Sequence, residues 1–73
     1  MREVKQSRTL SPEMSVVVID ALGGSAKTSR ICKCSTAAVS QWKTSGIPAP
    51  RIQFLREKFK DLAVMKTAEV MNF

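Results

Sequence analysis

The sequence predicts a small all-α domain, a bundle of about five helices in which two are joined by a tight turn. Three observations predict it. Ser11-Pro12-Glu13 reads as a helix start and is followed by apolar residues at i, i+4 spacing. Gly23-Gly24 and Ser45-Gly46 stand where helical patterns end. Between them, two short helical patterns in residues 25–44 meet at Cys34-Ser35.

Residues 1–10 carry alternating charge and no apolar periodicity, so they read as a flexible tail ahead of a single domain spanning 11–73. Ser11 can cap the first helix, Pro12 suits its first position, and Glu13 complements the positive end of its dipole. Met14, Val18 and Leu22, with Val17 and Ala21, are expected to form its buried face. The second helix covers 25–33, with Ala26, Ser29 and Cys32 as a face of small residues that lets a neighbouring helix approach closely. Cys34 falls in the turn and Ser35 caps the third helix, 36–44. There Val39 and Trp42 point one way, while Thr36, Ala37, Ser40, Gln41 and Lys43 point elsewhere. Ile47-Pro48-Ala49-Pro50 is a stiff connector, and Pro50 can occupy the first turn of a fourth helix. Ile52, Leu55, Phe59 and Leu62 give that helix its core stripe. Phe54 lies off the stripe by about 100° in projection. For 62–70, the Ala, Met, Lys and Glu content favours a short fifth helix. Alternation along Met65, Thr67, Glu69, Met71 and Phe73 leaves a strand as the alternative for the C-terminal segment.

At 73 residues and 44% apolar composition, the chain suits one marginally stable domain rather than a disordered segment. No apolar run is long enough to span a bilayer and the first ten residues have no signal-like core, so the expected location is the cytoplasm. Cys32 and Cys34 are one residue apart, there is no histidine, and no second cysteine pair exists, which argues against zinc and for free thiols. No metal or cofactor is expected. With no His, no Tyr and six scattered carboxylates, no nucleophile–base constellation can be assembled, so the chain is not expected to be an enzyme.

The net charge of +6 is informative for its placement. Between residues 21 and 56 stand Lys27, Arg30, Lys33, Lys43, Arg51 and Arg56, with no Asp or Glu. Elsewhere six basic and six acidic residues cancel. An acid-free basic window in the middle of a small domain points to a polyanion. A major groove admits one helix, read by polar side chains near its start and held by a second helix crossing behind it. Ser29 supplies the small residue at the crossing, and Cys32, Cys34, Val39 and Trp42 the inner anchors. Gln41 can pair in a bidentate manner with adenine, Thr36 and Ser40 can reach base edges, and Ala37 can touch a thymine methyl. Ser35 and the amides at the helix start can bond phosphate.

The run Ala37-Ala-Val-Ser-Gln-Trp-Lys43, after Gly23-Gly24 and before Gly46-Ile-Pro48-Ala49, resembles the Cro-type repressors of lambdoid phages. It is also similar to the related Cro/CI-like and YdaS-like helix-turn-helix proteins of bacteria. The resemblance covers about residues 18–59 and implies a lambda-repressor-like fold that binds operator DNA as a dimer. It places base contacts on Thr36, Ala37, Ser40 and Gln41. It places phosphate contacts on Ser25, Ser35 and the basic residues Lys27, Arg30, Lys43 and Arg51. Phe54, Met65, Met71 and Phe73 are the candidates for a dimer interface, one that can be weak in the free protein. The family usually has alanine where Ser29 stands, aliphatic residues where Cys32 and Cys34 stand, and glycine where Lys33 stands. A lysine there must accept left-handed geometry at a cost of about 1 kcal/mol. The competing expectation is an antitoxin-like or adaptor module that uses the same fold to hold a protein.

Overall fold

The computed structural model describes residues 8–73. They form an all-α bundle of five α-helices and one 3-10 turn, with no strand among the described residues. The helices are α1 (Pro12–Ala21), α2 (Ser25–Cys32), α3 (Thr36–Ser45), α4 (Ala49–Lys58) and α5 (Ala68–Met71), with the 3-10 turn at Ala63–Lys66. No helix among them is long and apolar enough to cross a membrane.

Helix α1 starts as expected. The Ser11 Oγ accepts from the Met14 amide, and Pro12 occupies the first helical position. Its buried face differs from the expected one. Val18, Ile19, Leu22 and Ser15 turn inward, whereas Val17 and Ala21 face solvent. The apolar run Val16–Ile19 covers too much of the helix circumference for spacing to select its inner half. Ser15 settles the rotation. Its buried Oγ donates to the Ser11 carbonyl (2.8 Å) and accepts from the Ile47 amide (2.9 Å), tying α1 to the segment after α3.

Helices α1 and α2 end on the same backbone motif. Gly24 N–H donates to the Ile19 carbonyl (2.9 Å) after Gly23 at φ 107°. Cys34 N–H donates to the Ser29 carbonyl (2.9 Å) after Lys33 at φ 56°, ψ 47°. In each case a residue of positive φ lets the next amide satisfy a carbonyl that the helix leaves open. Lys33 is therefore the left-handed residue expected at the turn, and the only non-glycine residue with positive φ among the described residues.

Residues 8–10, placed in the tail by sequence, belong to the domain. Leu10 is fully buried, its amide donates to the Ile47 carbonyl (2.9 Å), and the Ala49 amide donates to the Arg8 carbonyl (2.9 Å). Thr9 and Pro48 thus make an isolated antiparallel bridge. One apolar residue among polar ones carried no periodicity, which is why the segment resembled a tail. Residues 1–7 lie outside the described part.

The C-terminal segment is helical, which removes the strand alternative, but it is not one helix over 62–70. Thr67 (φ −68°, ψ 152°) separates the 3-10 turn from α5. Val70 and Met65 are buried in the core. The last carbonyls are capped from elsewhere in the chain: Gln53 donates to Phe73 (2.7 Å), and Arg56 to Val70 and Met71 (3.2 and 3.1 Å). Arg8 donates to Asn72 (3.3 Å) and lies over the Phe73 ring, 4.5 Å from its centroid. Glu69 in return accepts from the Ser11 amide (2.9 Å) at the start of α1.

Candidate nucleic-acid interface

Helices α2 and α3, joined through Lys33, Cys34 and Ser35, carry the residues singled out above. On α2 the inner face is Thr28, Ser29 and Cys32. Ala26, expected there, is exposed, and Thr28 takes its place one turn before Cys32. Ser29 is buried as a crossing residue must be, and its hydroxyl donates to the Ala26 carbonyl (2.7 Å) rather than to the partner helix. Cys32 is buried and Cys34 half-buried against the core. Burial, and secondarily Cys34, push the Cys32 thiol above its ordinary value, with Arg51 opposing. Both cysteines behave as small hydrophobic anchors.

Helix α3 begins with Ser35 as N-cap, its Oγ accepting from the Ala38 amide (3.1 Å). Val39 and Trp42 are buried in the core, which fixes the rotation of the helix. The opposite side presents Thr36, Ala37, Ser40 and Gln41, all exposed and within an arc of about 140° in projection. None of their side chains hydrogen-bonds to another described residue, so their donors and acceptors are open to a ligand. Thr44 belongs to the same arc and was missed; its position four residues after Ser40 would have found it. Its hydroxyl, like that of Ser45, donates to the Gln41 carbonyl.

The phosphate candidates divide. No side chain caps the start of α2, so its first amides and the half-buried Ser25 form an open helix N-terminus. Lys27 is exposed, and its alkyl chain lies over Gly23, which has no Cβ to obstruct it. Arg30 is exposed, Lys43 is half-buried in the last turn of α3, and Ser35 stands exposed between the two helices. Arg51 sits elsewhere. Its guanidinium donates to the Cys32 carbonyl (3.2 Å) at the far end of α2, about 10 Å along the axis from Ser25. Arg56 likewise serves the carbonyls of α5. The only ion pair among the described residues is Lys60–Glu57 (3.7 Å), outside the acid-free window. The charge of Lys27, Arg30 and Lys43 is therefore unneutralised by any described carboxylate.

The four dimer candidates do not form one surface. Met65 is in the core, and Phe73 is half-buried beneath Arg8. Phe54 and Met71 are exposed, at 45% and 57%, but on opposite flanks of α4. Arg51, Phe54 and Lys58 line a groove toward α2, while Arg56, Lys60 and Met71 line another toward α5. No family model, no curated protein and no solved structure matches the chain.

Proposed function

We propose that this chain binds double-stranded DNA sequence-specifically as a phage-type, Cro-like transcriptional repressor, with α3 in the major groove of an operator half-site. The observation that carries this reading is the α3 face of Thr36, Ala37, Ser40 and Gln41. It is exposed, free of internal hydrogen bonds among the described residues, and backed by Val39 and Trp42. Beside it lie cations that no described carboxylate neutralises. On this reading Gln41 is the strongest base reader, and Thr36, Ser40 and the Ala37 methyl complete the contact. Ser25, Lys27, Arg30, Ser35 and Lys43 hold the phosphates, with Arg51 contributing at most through its remaining N–H groups. The protein acts without catalysis or cofactor, in the cytoplasm or nucleoid of a bacterium.

One helix reads only a few base pairs, so useful affinity calls for two protomers on half-sites about one helical turn apart. Of the interface candidates, Phe54 and Met71 are exposed, and Met71, the last residue of α5, is the one assigned to such a pairing.

Selection of bound duplexes from a random library tests the proposal. The expected result is a palindromic site bound far more tightly than random DNA. Gln41→Ala is expected to lose about 1–3 kcal/mol on that site and to relax preference at one base position. Equal affinity for selected and random duplexes would end the sequence-specific reading. The adaptor alternative has one observation in its favour, the exposed Phe54. Recovery of a stoichiometric heterologous protein, together with no shift of DNA, would replace the repressor reading by that one.

A further inference from the structure

The groove on the α2 side of α4 has a volume of about 490 Å³ and is lined by Ile31, Cys32, Lys33, Arg51, Phe54 and Lys58. Ile31, Cys32 and Phe54 give it an apolar part, and Lys33, Arg51 and Lys58 give it three cations and no acid. Only Arg51 of the three is engaged, through one bond to the Cys32 carbonyl. Such a groove fits an amphipathic helix whose apolar stripe is flanked by carboxylates. This chain carries one. The outer face of α1 presents Glu13, Val16, Val17 and Asp20 at i, i+3, i+4 and i+7, all four exposed. Val16 and Val17 are 36% and 49% exposed. No described cation pairs with Glu13 or Asp20.

We infer that α1 of one copy docks in the α2–α4 groove of the next, with Val16 and Val17 on Ile31 and Phe54, and Glu13 and Asp20 facing the groove's cations. The contact is head-to-tail: each copy gives its α1 to one neighbour and its groove to another, without reciprocal exchange in a two-fold pair, so each copy keeps one free end and association runs past a dimer. The net charge of +6 opposes it at long range. That repulsion is screened beyond about 8 Å at physiological ionic strength, whereas pairs in contact are screened much less. The contact is small, so it is weak in free solution. The inference does not rest on the DNA reading, since it concerns the protein alone.

Sedimentation of the full chain without DNA, over a concentration series at physiological salt, tests it. The weight-average mass of the wild type is expected to rise past that of a dimer. Val17→Lys removes the α1 face and Lys58→Glu reverses a charge of the groove; both positions are exposed, and circular dichroism verifies folding. Each variant alone is expected to be monomeric over the same range. Mixed, they retain one intact α1 face and one intact groove, and are expected to form a heterodimer and nothing larger. A wild type that stays monomeric to about 1 mM, where even weak specific contacts populate, overturns the inference. So does a dimer that survives both substitutions, or a mixture that stays monomeric. Should either variant fail to fold, dilution of the wild type followed by amide NMR decides the matter. Shifts centred on Val16, Val17, Lys33 and Phe54 support the contact, and their absence or a different location overturns it.

Discussion

Ser15 shows how much one small polar residue can decide. It is fully buried on α1, donating to Ser11 and accepting from Ile47. Ser15→Ala would leave the Ile47 amide without a partner in a site water does not reach. The cost expected is about 1–3 kcal/mol, seen as a lower urea midpoint at unchanged slope. The surface control Ser45→Ala, which removes only an exposed bond to Gln41, should stay within about 0.5 kcal/mol. Lys33 carries the opposite kind of cost. Its φ of 56° is tolerated by the fold rather than favoured by the residue, and Gly23 plays the same part at the end of α1 without a side chain. Left-handed geometry costs about 1–2 kcal/mol in a non-glycine residue. Glycine returns roughly 0.5–1 kcal/mol of that through unfolded-state freedom. Lys33→Gly is therefore expected to stabilise the domain by a fraction of a kcal/mol to about 1 kcal/mol. A thermal midpoint that falls or stays level would show that the lysine side chain contributes something the turn needs.

At the scale of elements, the boundaries of α1 to α3 and the start of α4 were legible because each is marked by local chemistry: Ser11-Pro12, Gly23-Gly24, Ser35, Gly46 and Pro50. The end of α4 was not: its expected stripe ran on through Phe59 and Leu62, but the helix stops at Lys58 and both residues are only half-buried beyond it. The exposed face of α3 was legible because Val39 and Trp42 leave only one side for the polar residues. The rotation of α1 was not, since its valines offer no contrast and Ser15 acts through Ile47, far away in sequence. The placement of Leu10 and the break at Thr67 were also hidden. Both depend on bonds between segments far apart in sequence, such as Leu10 with Ile47 and Ser11 with Glu69. Gly46 shows the same dependence in a form that can be measured. A Cβ there would meet the Leu10 carbonyl oxygen and the Thr9 side chain, whereas a Cβ on Gly24, at nearly the same φ, meets nothing. Both substitutions to alanine carry backbone strain of about 1–3 kcal/mol, but only Gly46→Ala also forces the N-terminal segment off α3. It should be the more destabilising of the two, and the Leu10 amide should lose its exchange protection. Equal losses would mean that residues 8–10 contribute little to the domain.

For the whole molecule, net charge is a poor guide to which cations could serve a polyanion. Half of the lysines and arginines lie in the acid-free window. Within it, Arg51 spends one bond on the end of α2 and Arg56 two on α5. Lys43, by contrast, flanks the α3 face and makes no described ion pair. The two kinds of cation should separate when affinity for the selected duplex is measured against salt. Each phosphate contact adds about 0.9 to the slope of log affinity against log salt. Lys43→Ala is expected to lower that slope by about this amount while leaving the melting temperature near the wild-type value. Arg56→Ala is expected to lower the melting temperature, because the Val70 and Met71 carbonyls lose their donor. Its salt slope should be unchanged. If Arg56→Ala instead reduces the slope and Lys43→Ala does not, the polyanion lies on the α4–α5 side and α3 is not the reading helix.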